Sequence, residues 1–311
     1  MGVAARERGA VAKKNTPKFT SSSGKQKTAA QLRLEAKRAL AAQSAATQAK
    51  RRRRMTLVYT PVGVVIAVVI ILVVIASTTG AGHKAASTTS AAPASVSGPV
   101  TSVPATVFDQ VGAGTASSSA AEALTGSALT ADGKPRVLYV GAEWCPYCAA
   151  ERWPLAVALS RFGTLSGLGV THSDPNDSPS NIPTLSFADA TFTSDYLSFS
   201  GNEIQDNNRK TVKTLDAADQ ALFDPHGTGG SFPYLNVTGT FQFSAQYDPT
   251  LLTGLSQEEI AAELSNPNSN VTKAIVGAAN VLTATICKAT NDRPADVCTS
   301  AGVTAAAKTL P

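Results

Sequence analysis

Val137-Leu138-Tyr139-Val140-Gly141-Ala142-Glu143-Trp144-Cys145-Pro146-Tyr147-Cys148 is the stretch on which the reading of the fold turns. Its apolar run, 137–140, predicts a buried β-strand. Two cysteines separated by two residues follow at once, and helix-forming residues continue over 149–158. A strand that hands Cys-x-x-Cys to the start of a helix is suited to thiol–disulfide chemistry. The first turn of a helix presents unpaired N–H groups and the positive end of its dipole. Both favour a thiolate, so Cys145 is expected to have a lowered pKa and to be the nucleophile. Cys148, one turn further in, is then placed to attack a mixed disulfide and resolve it.

Glu143-Trp144-Cys145-Pro146-Tyr147-Cys148 resembles the active site of the thioredoxin superfamily. The Glu-Trp-Cys entry is similar to thioredoxins, and the Pro-Tyr pair to glutaredoxins and some disulfide oxidoreductases. The longer run 139–153, with 158–163, is more specific: it resembles the thioredoxin-like family known as domain of unknown function 929. The likeness spans roughly the last two thirds of the chain. It implies an α/β fold, a thioredoxin-like central sheet with flanking helices, and it leaves the physiological substrate open. In that superfamily a cis-proline packs beside the cysteine pair, and the backbone of the residue before it pairs with the substrate polypeptide. By resemblance that bond is Phe232–Pro233, which enters a hairpin expected over 234–243. Gly229 and Gly230 would let this loop approach closely. An ordinary trans bond at a strand start is the alternative.

Charge is divided unevenly along the chain. Residues 1–54 carry fifteen Lys/Arg against two Asp/Glu, a net +13, while the remainder has a net charge of −8. The basic character belongs to the tail, which argues against nucleic acid as a partner of the whole protein. Residues 1–27 read as disordered, and 28–50 favour a solvated or membrane-surface helix. The tetrad 51–54, all Arg, precedes an uncharged apolar run at 57–76. That length suits a bilayer span, and basic flanks stay cytoplasmic. We therefore expect a basic cytoplasmic tail (1–54), a transmembrane helix (55–77) and a Ser/Thr/Ala/Pro linker (78–103). An extracytoplasmic domain (104–311) completes the chain. The localisation that follows is a single-pass cell-membrane protein with its N-terminus inside. A cleaved signal peptide is the competing reading; the long basic region and long apolar run speak against it.

Within the domain the sequence predicts a short strand at 106–111, weak helix at 120–129 and a turn at 132–135. A helix at 149–162, interrupted by Pro154, comes next. Strands are expected at 168–172, 184–187 and 192–199, a loop at 201–210 and a short helix at 215–223. Ser256 to Glu259 is a capping-box pattern opening a helix to 264. Residues 270–289 carry an apolar stripe at helical spacing, interrupted by too many polar residues for a membrane span.

Cys287 and Cys298 are expected to form a structural disulfide pinning the C-terminal tail to the last helix; a second redox relay pair is the alternative. Cys-x-x-Cys alone is ambiguous, but a zinc site needs four ligands, and neither the other two cysteines nor the histidines fall at ligand spacing. No metal and no cofactor are called for. Glu143 is read either as a proton carrier for Cys148 or as a solvated strand-end residue. Trp144, Pro146, Tyr147, Phe232 and Pro233 are expected to form the docking edge. Glu151 and Arg152 are expected to be surface charges, and His226 a loop residue or a tuner of the thiolate.

The function this supports is a membrane-anchored thiol–disulfide oxidoreductase. Its expected partners are extracytoplasmic protein thiols or disulfides and a membrane redox partner, with the lipid bilayer holding the anchor. Two alternatives come from other classes: a redox-silent adaptor on the same fold, and an anchored envelope protein whose basic tail acts at the membrane surface.

Overall fold

The structure is a computed structural model that describes residues 89–116 and 118–311. The basic tail expected over 1–54 and the membrane span expected over 55–77 lie outside the described residues. From Thr89 the chain forms strand β1 (Ser90–Ala91) and helices α1 (Ala94–Thr101) and α2 (Ala105–Val111). Short strands β2 (Ala121–Ala123) and β3 (Thr130–Ala131) lead into β4 (Lys134–Ala142), and α3 (Pro146–Leu159) follows. Next come β5 (Thr164–Ser166), β6 (Gly169–His172), β7 (Pro183–Ser186), β8 (Thr191–Thr193) and β9 (Ser198–Gln205). After α4 (Ala217–Phe223) come β10 (Tyr234–Val237) and β11 (Phe241–Phe243). A 3-10 turn (Pro249–Leu252) precedes α5 (Gln257–Glu263), α6 (Asn270–Ala289), α7 (Ala295–Cys298) and α8 (Ala301–Ala307).

Strand β4 is the axis of this mixed α/β arrangement. On one side β9 runs parallel to it, from Arg136 opposite Ser198 to Ala142 opposite Gln205. On the other side β10 runs antiparallel, with Tyr234 opposite Val140 and Val237 opposite Val137. β11 and then β2 extend the sheet antiparallel beyond β10, while β3 folds back on the start of β4. Successive side chains on a strand point to opposite faces. Val137 and Tyr139 accordingly join the main core with α3 and α6, and Leu138 and Val140 pack with Leu215 and Phe223 of the α4 region. Covered on both faces, 137–142 is buried throughout, which is why it reads as an apolar run rather than an alternation. β1, β6 and β7 form a separate three-stranded sheet, and β5 pairs with β8.

Two helices form the layer that carries the cysteines. In α6 every residue from Ala274 to Cys287 is buried. Among the described residues α6 is the one helix long and apolar enough to cross a membrane, and most of its surface is enclosed by the protein. Against it packs α3, in which every residue except Tyr147 is buried. The helix runs unbroken through Pro154.

Several expectations are corrected. Residues 106–111 form a helix rather than a strand: Pro104 sits at its N-cap in extended conformation, and Val107 and Phe108 turn into the core. Weak helix over 120–129 gives way to β2, because Phe241–Phe243 offers 121–123 a free strand edge. The strand at 169–172 exists but pairs with β1 and β7 outside the central sheet. The expected strand 192–199 is split, and the expected loop at 201–210 is, up to Gln205, the parallel partner of β4. Its polar sequence hid it. Asn202 and Glu203 are nonetheless buried. The linker expected over 78–103 is, from Thr89 onward, part of the fold, so the domain begins earlier than residue 104. Val96 and Val100 of α1 are fully buried against α5 and α3, each contributing about 1.5–3 kcal/mol of apolar burial.

Candidate functional site

The cysteine pair is positioned by a turn and a cap. The Cys145 N–H donates to the carbonyl of Ala142, the last residue of β4, at 3.1 Å. This tight turn leaves Cys145 in extended conformation at the N-cap of α3. Pro146 occupies the first helical position, where a missing N–H costs nothing and a fixed φ is already helical. The Cys145 Sγ accepts the backbone N–H of Cys148 at 3.2 Å, filling the role a serine or aspartate oxygen plays at other helix starts. Both cysteines are free thiols; Cys145 is 4% exposed and Cys148 is fully buried.

Their environments differ in sign. The Cys145 thiol is lowered from its ordinary value, first by the hydrogen bond it receives from the Cys148 thiol. The N–H groups of Cys148 and Tyr147 and the Arg152 guanidinium act in the same direction, against burial. Burial pushes the Cys148 thiol well up, and its bond to Cys145 and the charge there add to this. One sulfur is thus prepared to be a thiolate and the other to stay protonated, an asymmetry that suits a nucleophile and a resolving thiol.

The surroundings bring the expected docking residues together. The Phe232–Pro233 peptide bond is cis. Phe232 and Trp144 pack on the cluster formed by Ala142, Cys145 and Cys148. The Trp144 and Phe232 rings meet edge to face at 5.9 Å, and Phe232 stacks on Phe223 at 5.3 Å. Trp144 donates its indole N–H to Gln205 Oε1 at 2.8 Å. The Arg209 guanidinium lies 3.8 Å from the Trp144 ring centroid and is shared with Asp174 and Asp177. Tyr147 is 56% exposed. It and Pro233 open onto a cavity of about 400 Å³ whose other walls include Glu151, Ala245 and Tyr247.

Glu143 is not solvated. Its Oε1 accepts the hydroxyls of Thr89 and of Ser186, tying the end of β4 to the small sheet. Cys287 and Cys298 are joined by a disulfide between the end of α6 and α7. His226 is exposed in the loop before Phe232. Among the described residues no group of His, Cys, Asp or Glu is assembled to hold a metal ion.

Glu151 and Arg152 are corrected outright: both are buried, at 1% and 0% exposure. Glu151 Oε2 accepts the Ala245 N–H at 2.7 Å, and burial pushes its carboxyl up to about 8. Arg152 makes a two-pronged pair with Glu203, with Nε and Nη2 both at 2.7 Å from its oxygens. Nη2 also reaches the Ala142 carbonyl at 2.8 Å. Sequence reasoning missed this pair because its members lie on α3 and β9, 51 residues apart. The one available signal was position: Arg152 falls one turn after Cys148 and so shares its helix face.

Comparison with known families gives one finding. The model of the family described as Domain of unknown function (DUF929) matches residues 123–222. That segment holds β4, the cysteine pair, α3 and the parallel strand β9, and stops short of Phe232–Pro233 and of the disulfide. No curated protein and no solved structure matches the chain.

Proposed function

We propose that the DUF929 segment carries a thiol–disulfide exchange centre, in which Cys145 is the attacking or attacked sulfur and Cys148 resolves the mixed disulfide. The observation that carries this reading is the capping geometry: Cys145 Sγ sits at the start of α3 and takes the Cys148 N–H. Stabilisation of a thiolate at that place is what the chemistry requires. The surrounding layout supports a thioredoxin-like fold. A central strand leads into the cysteines, a parallel strand lies on one side, and an antiparallel hairpin entered through a cis-proline lies on the other.

The substrates we propose are extracytoplasmic protein thiols or disulfides that meet the edge made by Trp144, Pro146, Tyr147, Phe232 and Pro233. Their setting is the outer face of a cell membrane, with residues 55–77 as the anchor and a membrane partner exchanging electrons with the pair. The Cys287–Cys298 disulfide supports an oxidising compartment. A redox-silent adaptor built on the same fold is the second reading. It is favoured by one observation, the near-complete burial of Cys145.

The test is a redox titration of the full chain in graded thiol buffers, read by mass shift after alkylation. Cys148→Ser serves as the trapping variant. A reversible two-electron transition of Cys145–Cys148, with mixed disulfides captured by Cys148→Ser, is the expected result. A pair that never cycles and a variant that captures nothing would leave the adaptor reading standing.

A further inference from the structure

The cavity of about 400 Å³ beside the cysteine pair shares its wall with the docking edge. Tyr147, which stands between the two cysteines, and Pro233, which follows the cis bond, both line it. The rest of the wall comes from Ala150 and Glu151 of α3 and from the segment 244–249 after β11. A polypeptide lying along the edge therefore passes this cavity, and a side chain near the client cysteine can turn into it.

The wall is acidic. Glu151 and Asp248 are its carboxyl groups, and among the described residues that line it there is no Lys, Arg or His. Asp248 is exposed, and its carboxyl is held below the ordinary range, first by the N–H of Thr250. Glu151 is 1% exposed. Its Oε2 is fixed at 2.7 Å on the N–H of Ala245, itself a wall residue, while Oε1 is enclosed and has no hydrogen-bond partner. A buried polar atom left without a partner is destabilising and calls for a reason. The Tyr247 hydroxyl on the same wall cannot satisfy it as a donor, because its proton is given to the Ala150 carbonyl.

We propose that this cavity is a subsite for a basic side chain, Lys or Arg, carried by the client polypeptide near its reacting cysteine, with Glu151 Oε1 and the Asp248 carboxylate as the groups that receive its charge. The inference rests on the thiol-exchange reading above and adds a client preference to it. The apolar stem of such a side chain lies against the Tyr147 and Tyr247 rings and its charged head meets the carboxyls, the division that suits Lys and Arg. An acidic side chain would meet two carboxyls, and an apolar one would leave Oε1 unpaired. In the empty cavity, burial holds the Glu151 carboxyl up at about 8. A cation beside it favours the carboxylate, whose proton passes to water.

The experiment offers the reduced full chain a set of one-cysteine peptides, each carried as its mixed disulfide with the coloured thiol thionitrobenzoate. The Cys145 thiolate attacks the peptide sulfur, the Cys145–peptide bond forms, and thionitrobenzoate leaves with the electron pair of the broken bond and is read by absorbance. The residues flanking the peptide cysteine on both sides are Lys, norleucine or Glu. The second-order release rate should be about tenfold higher for Lys than for norleucine, the factor carried by one charge-assisted hydrogen bond, and lowest for Glu. Glu151→Gln keeps the shape and an oxygen for the Ala245 N–H; in this variant the Lys-to-norleucine ratio should fall to near one. Asp248→Asn should lower the ratio part way. Residues beyond 54 carry a net negative charge that attracts Lys peptides in general, so Glu258→Gln, an exposed carboxyl on α5 outside the cavity, serves as the control and should keep the wild-type ratio. Thermal midpoints establish that the variants are folded. A wild-type ratio near one, a high ratio that survives Glu151→Gln, or a ratio that Glu258→Gln lowers as much overturns the inference while exchange itself stands. If no peptide releases thionitrobenzoate, the thiol-exchange reading fails and takes the inference with it.

Discussion

The hydroxyl of Tyr247 donates to the carbonyl oxygen of Ala150 at 2.7 Å. Ala150 is the residue four before Pro154, so its carbonyl is the one that the proline leaves without a helical N–H. The side chain of a distant loop thus completes the helix that carries the cysteines. This accounts for an interior proline in a helix that continues unbroken. Tyr247→Phe should cost about 1–3 kcal/mol, the range for stranding a buried acceptor. In a Pro154→Ala background a helical N–H becomes available to Ala150, and most of that cost should disappear. A double-mutant cycle by urea denaturation measures the coupling. Additive effects would mean that the proline and the tyrosine act independently.

The same loop meets Glu151, and here the consequence is pH dependence. Burial holds the Glu151 carboxyl up at about 8, against the single N–H of Ala245. Between its unfolded value of about 4.3 and that folded value, the native chain keeps a proton that the unfolded chain has released. Stability therefore falls as pH rises through this window and levels off above it. Glu151→Gln keeps the neutral shape and removes the titration. It should match wild type near pH 4 and exceed it at pH 8, by an amount on the order of a few kcal/mol. Urea midpoints across that range decide the matter. Parallel curves for the two proteins would place an ionised carboxylate in the fold.

What the sequence disclosed depended on how local each interaction is. Strand, cysteine pair and helix start lie within a dozen residues and obey rules that act over one or two turns. The capping box at Ser256 and Glu259 formed for the same reason. The part of β9 from Gly201 to Gln205 reads as loop because Asn202 and Glu203 are polar, and the remote Arg152 is what makes burial of Glu203 tolerable. Glu151 and Arg152 looked like surface charges because an isolated segment cannot reveal that its helix is enclosed on all sides. α1 looked like linker for the converse reason. Its composition, Ala-Ser-Val-Ser-Gly-Pro-Val-Thr, is that of a tether, and only the surface it meets gives Val96 and Val100 something to bury against.

Within the cysteine pair, the largest influence lowering Cys145 is the hydrogen bond from the Cys148 thiol. Cys148→Ala removes that donor, and Cys148→Ser retains one. The Cys145 thiol should therefore titrate at higher pH in the alanine variant than in the serine variant. Its alkylation by iodoacetamide just below neutral pH should be slower by several-fold. Rate against pH for the two variants reads the difference directly. Identical profiles would assign the lowering to the helix start and Arg152 instead.

The second pair of cysteines permits a sharp separation of structure from chemistry. Cys287 lies in the last turn of the buried helix α6 and Cys298 closes α7, eleven residues on. Both sulfurs lie in the main apolar cluster, well separated in the chain from Cys145. A bond closing so short a loop stabilises by about 2–3 kcal/mol in the chain-entropy account. Replacing both cysteines by serine should lower the thermal midpoint by the equivalent of that amount. The reversible redox transition of Cys145–Cys148 in graded thiol buffers should be unaffected at temperatures where the fold is intact. A variant that stays folded yet no longer exchanges would instead make Cys287–Cys298 a relay. Thermal denaturation and the redox titration of Cys145–Cys148, run on the same preparation, distinguish a staple from an electron carrier.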